Sequence, residues 1–145
     1  MKVLFKRLHS FDLPAPQYMT TGSSGIDLLA ANEDDLIIPV LGRTLVPTGI
    51  SMSIEPGYEA QIRPRSGLAI NHGITILNTP GTIDYDYRGE IKIIVINLGD
   101  KEYILHRGER IAQMIFTKIE KAELLETDEL DDTSRGQGGF GHTGV

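Results

Sequence analysis

The sequence predicts an all-β fold, a jelly-roll-like barrel or sandwich carrying one short helix. Three observations predict it. Apolar residues recur mostly with period two. Gly and Pro interrupt these runs at the spacing of short strands, roughly every 8–12 residues. Only one stretch, Ser66–His72, carries a helix-start signal.

Taken in order, Val3–His9 opens with a strand-like alternation, and Ile26–Ala30 and Asp35–Pro39 are short strand candidates. Ile50, Met52 and Ile54 alternate with polar neighbours, and after the turn at Glu55-Pro56-Gly57 so do Tyr58, Ala60 and Ile62. Ser66 is a good N-cap for a helical turn through Leu68, Ala69 and Ile70. Ile74–Leu77 is a further strand, and the Pro80-Gly81 turn predicts a hairpin. Ile91, Ile93 and Val95 stand opposite Lys92, Ile94 and Ile96, a pattern that predicts burial on both faces. Glu102–Leu105 follows, and the last strand interleaves Ile111, Gln113 and Ile115 with Ala112, Met114 and Phe116. There is no internal repeat.

At 145 residues the chain has the size of one domain. It is 40% hydrophobic and 23% charged, which suits a globular core. It has no cysteine, hence no disulfide frame or thiolate metal site, and a cytoplasmic setting is expected. No run of 18 apolar residues occurs, so no membrane span is expected, and the N-terminus lacks the apolar stretch of a signal peptide. The net charge of −6 argues against sequence-independent nucleic-acid binding. A polyanionic ligand would have to be met by local arginines, backbone amides or a cation.

The expected organisation is a β domain over residues 1–120, an acidic linker over 121–134 and a glycine-rich arm over 135–145. The linker segment 121–132 carries six acids, and five of the ten residues from Arg135 to Gly144 are glycine. Glycine buries nothing and loses the most entropy on ordering, so such a segment builds no core. Its backbone can instead wrap a ligand and aim N–H groups at phosphate oxygens. Phe140 offers a face to a nucleobase and Arg135 a guanidinium fork to a phosphate. A solvated glycine tail is the plainer reading of the same composition.

Four other segments carry chemistry. Asn78–Glu90 sets Asp84, Asp86 and Tyr87 around the expected hairpin. Arg63-Pro64-Arg65-Ser66-Gly67 joins arginine, hydroxyl and glycine at a helix start, where free N–H groups attract anions. Ser24–Leu28 places a lone carboxylate, Asp27, in an apolar strand, and Gly108–Met114 places one amide, Gln113, in another. Each alone is more often ordinary surface, capping or strand-end structure.

Together, in this order, the five segments resemble the five motifs of the trimeric deoxyuridine triphosphatase (dUTP diphosphatase) family. GTIDYDYRGE and RGQGGFGHTG are the specific matches, PRSGLA is nearly complete, and the first motif departs at Ile26, where the family usually has an aromatic. The resemblance implies a homotrimer with three sites shared between subunits and the reaction dUTP plus water giving dUMP and pyrophosphate. It implies that Asp84 orients and deprotonates the attacking water. Because aspartate is a weak base, positioning and charge stabilisation should contribute as much as proton removal. Arg65, Ser66 and Gly67 correspond to the phosphate-binding turn. Main-chain groups at Thr82, Ile83 and Asp84, and near Lys92, with the Asn78 side chain or a water, would pair with uracil. Tyr87 would lie against the deoxyribose and exclude a 2′-hydroxyl. Strict alternation puts Asp84 and Tyr87 on opposite faces, so a bend or bulge must intervene. Phe140 would stack on uracil while Arg135, Gly139 and Gly141, with His142 and Thr143, hold the outer phosphates; His142 reads equally as a solvated tail residue. Mg²⁺ would ride on the phosphates and water, with Asp27 and Gln113 gripping those waters or nearby phosphates rather than ligating the metal directly. Expected partners are the nucleotide and further copies of the chain, with no nucleic acid or membrane. The rival readings are a deoxycytidine triphosphate deaminase of the same fold, which would need a glutamate proton shuttle at the base, a nucleotide-binding trimer without turnover, and a purely structural jelly roll.

Overall fold

A computed structural model describes residues 1–8 and 12–139. Among them are the strands β1 (Leu4–Arg7), β2 (Ile26–Leu29), β3 (Leu36–Ile38), β4 (Arg43–Pro47), β5 (Ile50–Ser53) and β6 (Tyr58–Arg63). The helix α1 (Ser66–His72) follows, then β7 (Ile74–Ile76), β8 (Gly81–Ile83), β9 (Lys92–Asn97), β10 (Tyr103–Leu105) and β11 (Arg110–Lys118). The all-β class with one short helix is borne out.

The strands form four small sheets, ordered β2-β11-β6-β8, β4-β9-β7, β1-β5 and β10-β3. Every pairing is antiparallel. Their inner faces meet on one core of aliphatic residues, among them Leu28, Ile38, Val46, Ile50, Ile62, Ile93, Val95 and Met114. Period-two alternation supplies these residues, since every second side chain points inward.

Four expectations are corrected. The hairpin at Pro80-Gly81 does not form: β7 pairs with β9, whereas β8 pairs with β6, so the strands flanking the turn enter different sheets. β4 was absent from the reading, because Arg43 and Thr44 open it and Pro47 closes it; Pro47 is tolerated at a strand end. Strand β9 is not buried on both faces. Ile93 and Val95 are buried, but Ile94 and Ile96 are only half-buried. Ile94 stands level with Leu45 of β4, and the Leu77 N–H donates to its carbonyl at 2.9 Å. Leu45 and Leu77 are 53% and 47% exposed, so an apolar row crosses the open face of this sheet.

The fourth correction concerns α1. Its span is as expected, but Arg65, not Ser66, occupies the cap position, in extended conformation and without a side-chain cap hydrogen bond. The Arg65 side chain is engaged elsewhere, as described below. The helix ends at Gly73, whose φ of 67° places it in the left-handed region, with its N–H donated to the Ala69 carbonyl at 3.0 Å. A side chain there would collide with Gly99, since its Cβ would lie 2.5 Å from the Gly99 Cα. Buried Asn97 ties this end together: Nδ2 donates to the Ile38 and Lys101 carbonyls at 2.9 and 2.7 Å, and Oδ1 accepts from the Gly99 N–H at 2.8 Å.

Candidate active site

The residues singled out from sequence fall into two clusters. The first is built by register. On β11, Gln113 stands opposite Asp27 of β2 on one side and Arg63 of β6 on the other. A bulge between Arg110 and Ala112 precedes it, and both Ile111 and Ala112 are buried. Asp27 is largely buried and holds two guanidinium groups: Oδ1 lies 3.0 Å from Arg65 Nε and Oδ2 lies 3.4 Å from Arg110 Nη1. Arg65 also donates to the Arg110 carbonyl at 3.1 Å, and Gln113 Nε2 to the Pro64 carbonyl at 3.0 Å. Two arginines on one carboxylate leave the cluster with a net positive charge, suited to an anion. Ser66 and Gly67 are exposed beside it, and a Cβ at Gly67 would meet nothing within 4 Å. The sequence reading missed Arg110, although it lies in the same segment as Gln113; only the cross-strand register reveals it.

The second cluster surrounds a cavity of about 350 Å³ lined by Leu45, Thr82, Ile83, Asp84, Tyr87, Glu90 and Lys92. The bend required between Asp84 and Tyr87 is a four-residue turn: the Tyr87 N–H donates to the Asp84 carbonyl at 3.2 Å and turns both side chains to one cavity. Arg88 Nη1 braces this turn by donating to the Tyr85 and Tyr87 carbonyls at 2.7 and 2.9 Å. Asp84 is exposed, and among the described residues its carboxylate has no hydrogen-bond or ion-pair partner. Glu90 closes the far wall, accepting from the Gly49 N–H at 3.0 Å and meeting Lys92 Nζ at 3.4 Å. Leu45 and Glu90 were not foreseen; Leu45 arrives on the strand the sequence hid. Asn78 is not part of the lining, and its carboxamide lies against Gly81 instead.

The two clusters share no lining residue within one chain. Arg135 joins neither. It donates from Nε to the Gly138 carbonyl at 2.8 Å, inside a local turn. Gly139 would have open space around a Cβ. Phe140, Gly141, His142 and Thr143 lie outside the described residues.

Perturbed titrations lie away from both clusters. Burial, and then the hydrogen bond to Glu109, push the Tyr103 hydroxyl up to about 12. The hydrogen bond that His106 donates to Asp35 raises His106 above its ordinary value, and the one Asp12 accepts from Arg107 lowers Asp12. Among the described residues no group of three or more His, Cys, Asp or Glu could hold a metal ion. Asp27 has both oxygens engaged by arginine, and among the described residues Gln113 Oε1 accepts no hydrogen bond. With its carboxylate committed to two arginines, Asp27 is not arranged as a direct cation ligand, and Gln113 Oε1 is the acceptor of the pair left to take a hydrogen bond from water.

A β fold with a carboxylate–tyrosine cavity and a separate arginine-rich cluster around Asp27 defines the class of β protein to which the chain belongs. Comparison with known proteins gives its family. The family model described as dUTPase matches residues 12–144, and the chain belongs to that family. It is 57% identical over 144 residues to the deoxyuridine 5′-triphosphate nucleotidohydrolase of Finegoldia magna, covering 99% of each chain. It is 54% identical to the enzyme of the same name from Rickettsia typhi, covering 100% of this chain and 98% of the relative. Among solved structures, the dUTPase of Staphylococcus bacteriophage 80alpha with dUpNHpp superposes with a TM-score of 0.88 over 99% of both chains at 22% identity, a likeness of fold.

Proposed function

We propose that this chain hydrolyses dUTP to dUMP and pyrophosphate, which would keep uracil out of DNA and supply dUMP for thymidylate synthesis. The observation that carries the reading is the unpartnered Asp84 carboxylate beside Tyr87 in a cavity of nucleoside size, in a chain whose full-length relatives bear that activity in their names. A carboxylate with no internal partner is available to orient and deprotonate a water for attack on the α-phosphorus. The main chain of Thr82, Ile83 and Asp84, with Lys92 across the cavity, supplies groups for the uracil edge, and Tyr87 presents its ring to the deoxyribose. Cytosine offers donor and acceptor reversed on that edge and would leave buried groups unpaired, which supports discrimination of roughly 10⁴-fold. Arg65, Ser66 and Gly67 would take the phosphates. Asp27 and Gln113 would hold waters around Mg²⁺ carried by the triphosphate; the ion supplies charge neutralisation.

Self-association is part of the proposal. The base cavity and the phosphate cluster share no lining residue in one chain, an arrangement that leaves a second copy free to contribute one of the two. The row of exposed Leu45 and Leu77 with half-buried Ile94 between them offers a face for such packing. We read the assembly as a homotrimer in which the arm of a third copy, with Arg135, Gly139, Phe140 and Gly141, closes over the ligand. Residues 1–120 would then act as the β domain and 121–134 as the tether. No helix among the described residues is long and apolar enough to cross a membrane, and the absence of cysteine fits a reducing cytoplasm.

Product analysis with Mg²⁺ and dUTP, dCTP, dTTP or UTP in parallel tests the reading. dUMP and pyrophosphate from dUTP alone is the expected result. Ammonia from dCTP, or binding without product, would overturn it.

A further inference from the structure

We infer that Gly89 is a positioning residue for selectivity: it seats the Tyr87 ring against the cavity by having no side chain. A Cβ at Gly89 would lie 2.6 Å from Tyr87 Cζ and 3.0 Å from Cε2, and closer still to the hydroxyl oxygen. Gly89 is not among the glycines with positive φ, so its backbone accepts an L-residue. The glycine therefore serves space and not conformation, unlike Gly73.

The ring that fills this space is held at both ends. The Tyr87 hydroxyl donates to the Glu90 carbonyl at 3.0 Å, folding the side chain back along its own turn. Arg88 fixes the Tyr87 carbonyl, and the Glu90 carboxylate is tied to Gly49 and Lys92. With its hydroxyl committed to main chain, Tyr87 presents the cavity with a ring at a set height and not with a hydrogen-bonding group. A methyl group at Gly89 meets a side-chain end and not backbone, so the fold survives while the ring must leave its seat. Asp84 lies at the start of the turn and is unaffected.

This inference rests on the proposed reading that Tyr87 faces the sugar. The test is the dUTP-over-UTP ratio of kcat/KM in Gly89→Ala, Tyr87→Ala and the double variant, with thermal melts to confirm folding. Gly89→Ala is expected to lower the ratio by roughly 10-fold or more, through KM with kcat on dUTP little changed. The double variant should match Tyr87→Ala, because Gly89 acts only through the ring. A wild-type ratio in Gly89→Ala beside an altered one in Tyr87→Ala, or effects that multiply in the double variant, would overturn the role of Gly89 alone. A wild-type ratio in Tyr87→Ala would overturn the sugar-facing reading and the inference with it. Should Gly89→Ala fail to fold, the double variant decides. With the ring gone, the atoms that a methyl at Gly89 would strike are gone too, so it should fold as Tyr87→Ala does. Its failure to fold would overturn the claim that Gly89 acts only through the ring.

Discussion

Asp84→Asn should separate stability from catalysis, and the structure sets the size of both effects. The residue is exposed, and among the described residues its carboxylate has no partner to lose. A surface change of that kind alters the unfolding free energy by no more than about 0.5 kcal/mol. The amide keeps the shape of the carboxylate, so KM for dUTP should stay within a few-fold of wild type. What disappears is the only group proposed to take the proton from water. General-base assistance is worth roughly 10²–10⁴-fold, or about 3–5 kcal/mol of barrier, and kcat should fall by that amount. Urea denaturation gives the first quantity, and continuous pyrophosphate release with Mg²⁺ gives the other two. A kcat within 10-fold of wild type would refute the water-activating role. A stability loss above about 2 kcal/mol would refute the premise that the carboxylate is free.

Three further outcomes are expected. Ending the chain at Ser134 should leave the fold intact and reduce kcat/KM severely; unchanged kinetics would make the glycine-rich segment a tail with no part in the site. Asn97→Ala strands the Ile38 and Lys101 carbonyls and the Gly99 N–H, and urea denaturation should show a loss of roughly 2–5 kcal/mol; a loss under about 1 kcal/mol would show that water replaces the amide. His106 is raised above its ordinary 6.5 chiefly by the Asp35 hydrogen bond. The stability this pair adds is therefore full below pH 6.5 and is lost as pH rises through the elevated folded value. Stability measured across that window should fall in the wild type and flatten in Asp35→Asn, and parallel curves would remove the pair from the account.

Much of the site was legible because its chemistry is local. The Thr82–Lys92 run carries its own turn, its tyrosine and the arginine that braces its carbonyls, so one short run of sequence holds all of the cavity lining except Leu45. The span of α1 was equally plain, because Gly73 stops it with a backbone conformation few other residues adopt. The hairpin at Pro80-Gly81 failed for the opposite reason. A Pro-Gly pair marks a change of direction but does not say which neighbour each strand will meet, and here the two strands enter different sheets. The capping role of Ser66 failed because Ser66 is itself the first helical residue, and the extended residue that precedes the helix is Arg65.

The sequence by itself determined the β class, the positions of most strands and the identity of the chemical groups, because period-two burial, turn residues and motif order are properties of neighbours along the chain. Only the tertiary structure decided which groups work together. Register set Gln113 between Asp27 and Arg63, the β11 bulge preceded that row, and β4 brought Leu45 to the cavity. These are contacts between residues tens of positions apart, settled by how sheets close on a shared core. The open face of β9 belongs to the same level: its isoleucines read as core, and folding of one chain leaves them half-buried.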